Sequence, residues 1–188
     1  MISRQTSLLL LLALAAGLQA APVEAQTTSV ASGDWNEGTT WSTGLVPTAA
    51  DDVVLADGHI IAVSAAAACR NLTFAATGAK LDLAAAAALL DVHGDFTFAA
   101  PNHLAFAGWT EGARVRFTGT APVQKLVNLS TSASTGTTRF DELVIDKAEG
   151  KVTTGDDLGV GDDRRLRIGR YLDITSGTFE LARTDDLE

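Results

Sequence analysis

The sequence predicts an all-β protein built as a solenoid of short, stacked strands. Apolar-polar-apolar triplets recur through the chain, among them Leu81-Asp82-Leu83, Leu90-Asp91-Val92, Phe96-Thr97-Phe98 and Leu172-Asp173-Ile174. Period-two alternation over so few residues marks short strands with one buried face. Gly, Asp, Asn, Ser or Thr separates nearly all of them, as turns require. One larger unit also recurs. Residues 90–98 and 172–181 each read as a triplet, a glycine turn and a second triplet beginning with Phe, and each follows a further triplet, Leu81-Asp82-Leu83 or Leu166-Arg167-Ile168. Such recurrence is the sign of stacked coils, each adding an apolar face to a continuous core and pairing its backbone with the coils beside it. At roughly 20–25 residues per coil, the chain holds about six or seven. A helical bundle is excluded by so many short strands, and a β-sandwich is the alternative fold.

Residues 1–25 read as a secretory signal peptide. Arg4 is the only basic side chain before the apolar run Leu8–Ala16, and Val23-Glu24-Ala25 precedes Gln26. A basic start, a short apolar core and a small-residue exit are the marks of such a leader. The apolar core is too short to span a bilayer as a stable helix. The expectation is cleavage after Ala25, with Ala20 or Ala21 as alternative sites. The product is an exported protein, extracellular or on the outer cell surface, without a transmembrane anchor.

Residues 26–50 form a loop-rich N-terminal cap. Gly and Thr dominate around Trp35 and Trp41, a composition poor for strand or helix and suited to sealing a solenoid end. The solenoid body spans 51–183, with strands expected at Val53–Leu55, His59–Val63, Leu72–Phe74, Leu104–Phe106, Val115–Phe117 and Leu143–Ile145 among the others. Ala65–Ala68 and Ala84–Ala88 favour helix intrinsically but are too short to hold one alone. Tight packing against a neighbouring layer is preferred for both, with a helical turn at 84–90 as the alternative. A short acidic tail covers 184–188. Only a few residues follow the last triplet, so the C-terminal coil is expected to be an incompletely capped edge able to self-associate.

The net charge is -9, and loss of a leader carrying Arg4 and Glu24 leaves it unchanged. The one basic concentration, Arg164, Arg165, Arg167 and Arg170, follows Asp156, Asp157, Asp162 and Asp163, so no nucleic-acid partner is expected. Cys69 is the single cysteine. No internal disulfide can form, and a buried, inert thiol is expected.

No catalytic, cofactor-binding or metal-ligating residue is assigned. His59, His93 and His103 fall into no metal-binding spacing. The Gly-x-Ser-x-Gly elbow is absent from the sequence. The carboxylate pairs Asp51-Asp52, Asp156-Asp157, Asp162-Asp163 and Asp185-Asp186 are adjacent residues, which on a strand point to opposite faces. Glycoside hydrolysis needs two carboxyl groups facing each other across a cleft. The stretch 155–163 packs four aspartates and three glycines. Calcium is the one ligand that composition suits, but the repeated rhythm of calcium nonapeptides is missing, and a solvated turn is expected. Asn71-Leu72-Thr73 and Asn128-Leu129-Ser130 match the glycosylation acceptor and are expected to stay unmodified.

The most specific stretch is Gly33 to Val63. Gly33, Trp35, Trp41, Gly44, Pro47, Asp51-Asp52 and Val53-Val54 compose a Gly-x-Trp…Trp…Gly-x-x-Pro…Asp-Asp head. It resembles the opening of a β-helical repeat family of secreted bacterial surface proteins, autotransporter-like or adhesin-like. Thr40 stands where that family usually has asparagine before the second tryptophan. Phe140–Asp146 also resembles the family, so the likeness covers roughly 33–183. The resemblance implies a right-handed parallel β-helix in a non-enzymatic structural or adhesive module. The alternative is a carbohydrate-binding or carbohydrate-active β-helix. A surface glycan or protein would be the partner. Exposure of Trp35, Trp41 and Trp109 along one face discriminates between the two.

Overall fold

The computed structural model describes residues 26–76, 78–98, 106–128, 137–154 and 165–181. It is a parallel β-solenoid. The strands are β1 (Gln26–Thr28), β2 (Gly33–Asp34), β3 (Asp52–Leu55), β4 (Ile60–Ala62), β5 (Ala66–Cys69), β6 (Leu72–Phe74), β7 (Lys80–Leu83), β8 (Leu89–Val92), β9 (Phe96–Phe98), β10 (Phe106–Trp109), β11 (Arg114–Phe117), β12 (Val123–Asn128), β13 (Thr137–Thr154) and β14 (Arg165–Glu180). From β1 to β11 each strand pairs with strands a full coil away rather than with its neighbour in sequence, while the long strand β13 pairs with both β12 and β14. β1, β3, β6, β9 and β12 form one face and the end of β13 continues it. β2, β4, β7 and β10 form a second. β5, β8 and β11 form a third, continued by the middle of β13. Among the described residues every strand ladder is parallel, which separates this fold from the sandwich alternative. β13 runs from the third face onto the first with β14 alongside it, their register shifting after Phe140, Ile145 and Asp146.

The triplets become strands because alternation places one side chain in the column and the next in solvent. β3, β7 and β8 each alternate half-buried and buried positions, and β6 and β9 bury both ends of their triplets. Leu72 pairs with Phe96 and Phe74 with Phe98, so like sits on like along the first face. Phe74 and Phe98 stack with centroids 5.0 Å apart, and Phe96 meets Phe140 edge-on at 5.7 Å. Val53, Leu55, Ile61, Leu81, Leu83, Leu90, Val92, Val115, Leu143 and Ile145 complete one continuous buried column.

The run Ala84–Ala88 is a bend between β7 and β8, not the helical turn held as the alternative. Ala88 is buried and Ala85 packs against the core, whereas Ala84, Ala86 and Ala87 are exposed. A corner between two faces needs a compact chain more than it needs apolar bulk. The segment 26–50 carries short strands among its loops. β1 pairs with β3, β2 pairs with β4, and a 3₁₀ turn spans Gly38–Thr40. The expected leader at 1–25, His103, the expected Leu104–Ala105 strand residues, the aspartates at 156, 157, 162 and 163, and the expected tail at 184–188 lie outside the described residues.

Candidate functional surface

The N-terminal end is closed by the tryptophan pair. Trp35 is 0% and Trp41 2% exposed. Their rings meet edge-on at 5.0 Å, and Trp41 Nε1 donates to Trp35 O at 2.7 Å. The same segment covers the backbone edge of β1. Thr28 N donates to Ser42 Oγ at 3.0 Å, Ser42 N to Thr28 O at 2.8 Å and Val30 N to Thr40 O at 2.9 Å. Ser29 and Trp41 form an antiparallel bridge. The head thus plugs the column and pairs the otherwise open first strand. Trp109 is half-buried against the core and donates from Nε1 to Ala113 O at 2.9 Å. No row of exposed tryptophans runs along a face.

A polar ladder occupies the corner before the first face. Asp52, Asn71, Asp95 and Lys125 hold equivalent places on successive coils, each preceding a first-face position that pairs with the next. Asn71 Nδ2 donates to Asp52 Oδ1 at 2.8 Å, and Asn71 Oδ1 accepts from Asp95 N at 2.6 Å. Asp95 Oδ1 in turn accepts from Lys125 N at 2.8 Å. Arg70 adds a bidentate clamp on Asp52, with Nε to Oδ1 at 2.8 Å and the terminal nitrogen to Oδ2 at 2.6 Å. The Arg70 hydrogen bond holds the Asp52 carboxyl below the usual carboxylate range, against the opposing effect of burial. Asn71 is thus bound at both ends of its side-chain amide.

A groove of about 730 Å³ runs over this corner, lined among others by Arg70, His93, Asp95, Gly119 and Thr120. Beneath it Lys147 is fully buried. Its Nζ donates to Gln124 Oε1 at 2.7 Å and to Gly119 O at 3.3 Å. Gln124 Nε2 donates onward to Val92 O at 3.0 Å and Gly94 O at 2.8 Å. Burial lowers the pKa of Lys147. On the third face Arg116 clamps Asp91, its register neighbour, through two bonds of 2.7 Å. That hydrogen bond raises the pKa of Arg116. A second cavity of about 340 Å³ on this face is lined by Arg114, Glu142, Tyr171 and Asp173 among others.

The residues singled out from sequence take structural places. His59 Nδ1 shares a 2.8 Å hydrogen bond with Ser29 Oγ, while His93 lies on the corner groove. Asp51 and Asp52 diverge: Asp51 accepts from Thr48 N and Oγ1, whereas Asp52 serves Arg70 and Asn71. Cys69 is buried, and burial pushes its thiol pKa far up. Among the described residues no group of three His, Cys, Asp or Glu side chains could hold a metal ion. Nor is any helix there long and apolar enough to cross a membrane. Lys147 and Gln124 were missed from sequence. The signal available was a lysine and a glutamine at places where an apolar side chain would fill the column. No protein-family model, no curated protein and no solved structure matches the chain.

Proposed function

We propose that this chain is a non-enzymatic structural or adhesive module, exported to the outer cell surface or beyond it. The observation that supports the reading is the burial of Trp35 and Trp41 in the end cap. The two rings that a sugar-binding face would present are spent on sealing the solenoid. The corner carboxylates are likewise committed to arginine, asparagine and backbone partners. The resemblance of the Gly33–Val63 head to autotransporter-like and adhesin-like surface proteins adds the expected location. The test is a panel of polysaccharides and extracellular-matrix proteins offered to purified 26–188, reading both retention on the polymer and release of new reducing ends. Retention without release is expected. Release of reducing ends from any polysaccharide would overturn the non-enzymatic reading.

A carbohydrate-binding role is the second reading, favoured by one observation. Tyr171 is 61% exposed beside Arg114, Glu142 and Asp173, an aromatic face among planar polar groups. Loss of polysaccharide retention in Tyr171→Ala would support it.

A further inference from the structure

The corner groove crosses successive coils. Ala49, Asn71, Asp95 and Ala121 line it, and they precede the first-face strands β3, β6, β9 and β12. Neighbouring strands lie about 4.8 Å apart, so the groove extends about 14 Å along the solenoid axis. Each of those four strands is paired on both sides, so a peptide finds no free edge there on which to add its backbone. At the β12 end the floor is the peptide unit between Gly119 and Thr120. Its carbonyl oxygen accepts from the buried Lys147 Nζ at 3.3 Å. The described peptide bonds are all trans, so the N–H of that unit points away from its carbonyl and from the ammonium. The side it faces is the groove that Thr120 lines. A cation on the carbonyl polarises the unit and strengthens the N–H as a donor. Among the described residues neither the N–H nor the hydroxyl of Thr120 has a hydrogen-bond partner, and no carboxylate pairs with Lys147. The buried positive charge is therefore met by neutral acceptors alone, Gln124 Oε1 and Gly119 O. Across a single peptide unit it favours an anion on Thr120. His93 lines the groove at the same end, its carbonyl against Gly119. One coil earlier Asp95 Oδ1 accepts from Lys125 N, and its second oxygen suits a hydroxyl.

We propose that the groove binds a glycan chain laid along the solenoid axis, with the carboxylate of an acidic sugar on Thr120 and hydroxyls of the neighbouring sugars on Asp95 and Asn71. The inference rests on the adhesive reading, with a surface glycan as partner, and places the contact at a polar corner instead of an aromatic face. The net charge of -9 sets the charge density that the ligand can carry. A chain with an acid on every unit is repelled by the whole molecule, whereas one acid between neutral sugars meets mainly the local field of Lys147.

The test is calorimetric titration of the purified protein with a hyaluronan hexasaccharide, in which glucuronate alternates with a neutral amino sugar. The same oligosaccharide with its carboxyls reduced to alcohols, and an oligogalacturonate of equal length, are the comparisons. The acidic hyaluronan form should bind about tenfold more tightly than the reduced form, the loss of one charge-assisted hydrogen bond. It should also bind more tightly than the oligogalacturonate. Thr120 is exposed, so Thr120→Glu should leave the melting temperature unchanged and abolish binding by setting a carboxylate in the anion's place. Lys147→Met changes no exposed side chain and should weaken binding by about tenfold. Undetectable binding, equal affinity for the acidic and reduced forms, or parent-like binding by Thr120→Glu would overturn the proposal. So would sodium acetate competing as well as the oligosaccharide, which marks a site for a free anion only, or tighter binding of an aspartate-bearing peptide. Retention of neutral polymers or matrix proteins that Thr120→Glu leaves untouched would keep the adhesive reading and remove this one.

Discussion

The Lys147 ammonium lies 2.7 Å from Gln124 Oε1 with both side chains fully buried, and together they tie the corners of three successive coils. Gln124 passes the contact on to the carbonyls of Val92 and Gly94. An amine removed from water costs stability unless its acceptors are well placed, and among the described residues one side-chain oxygen and one carbonyl serve. Lys147→Met removes the amine but strands Gln124 Oε1, which should cost about 1–3 kcal/mol. The double variant with Gln124→Leu should recover part of that loss. Urea unfolding of the four proteins gives the coupling directly, and simple additivity of the two single changes would show that the pair does not act as a unit.

The same lysine gives a pH signature. Burial lowers its folded-state pKa below the ordinary 10.5, so the unfolded chain binds more protons between the two values. Stability should therefore rise as pH climbs through that window toward 10.5. Lys147→Met should flatten the slope. An unchanged slope in the variant would assign it to other groups.

Asp52 acts at the acid end with the opposite sign. Its carboxyl is held below 3.8, chiefly by the Arg70 hydrogen bond. The stabilisation is fully present above that unfolded value and is lost as pH falls through the folded one. The pair is partly exposed, so the effect is small, on the order of 1 kcal/mol. Asp52→Asn should lower the midpoint at neutral pH and narrow the gap to the parent in acid. Asn71→Ala should be worse, by roughly 1–3 kcal/mol, because it strands the Asp95 amide and also removes one of the two side-chain hydrogen bonds to Asp52 Oδ1.

Glycines at corners should rank by what surrounds them. Gly58 has φ 75° and open space beyond it, whereas Gly150 has φ 83° with the Pro122 backbone against the place of a side chain. Gly58→Ala meets the left-handed strain alone, about 1 kcal/mol. Gly150→Ala adds a clash with the backbone of the previous coil and should cost several-fold more. Equal melting-temperature shifts for the two would contradict the close approach of those coils.

Much of this fold was legible from residues. Leu90-Asp91-Val92 and Phe96-Thr97-Phe98 bury the positions that alternation assigns, and Trp35 and Trp41 are buried in the first coil. The corner ladder was not legible, because its rungs at 52, 71, 95 and 125 come at unequal intervals. Corner length varies from coil to coil, and only strand pairing reveals which residues share a rung. Ala84–Ala88 misled for a related reason: composition suggests packing, while position at a corner decides exposure. The edge cover by residues 40–43 was hidden too, since antiparallel pairing in a loop leaves no alternation to read.

That edge cover yields the last expectation. Ser42 accepts from Thr28 N and donates to Thr28 O, so one residue supplies two of the bonds that close the β1 edge. Ser42→Pro deletes both the hydroxyl and the N–H while leaving Trp41 in place. Trp41 sits at φ -115° and ψ 144°, extended backbone that a residue before proline accepts. The loss should be about 1 kcal/mol for each hydrogen bond, too little to unfold the column. It opens the first strand, however, and leaves the β1 edge free to pair with another chain. Sedimentation of Ser42→Pro should show more self-association than the parent, increasing with concentration. If Ser42→Pro sediments as the parent does, the plug formed by Trp35 and Trp41 protects that end without help from the edge cover.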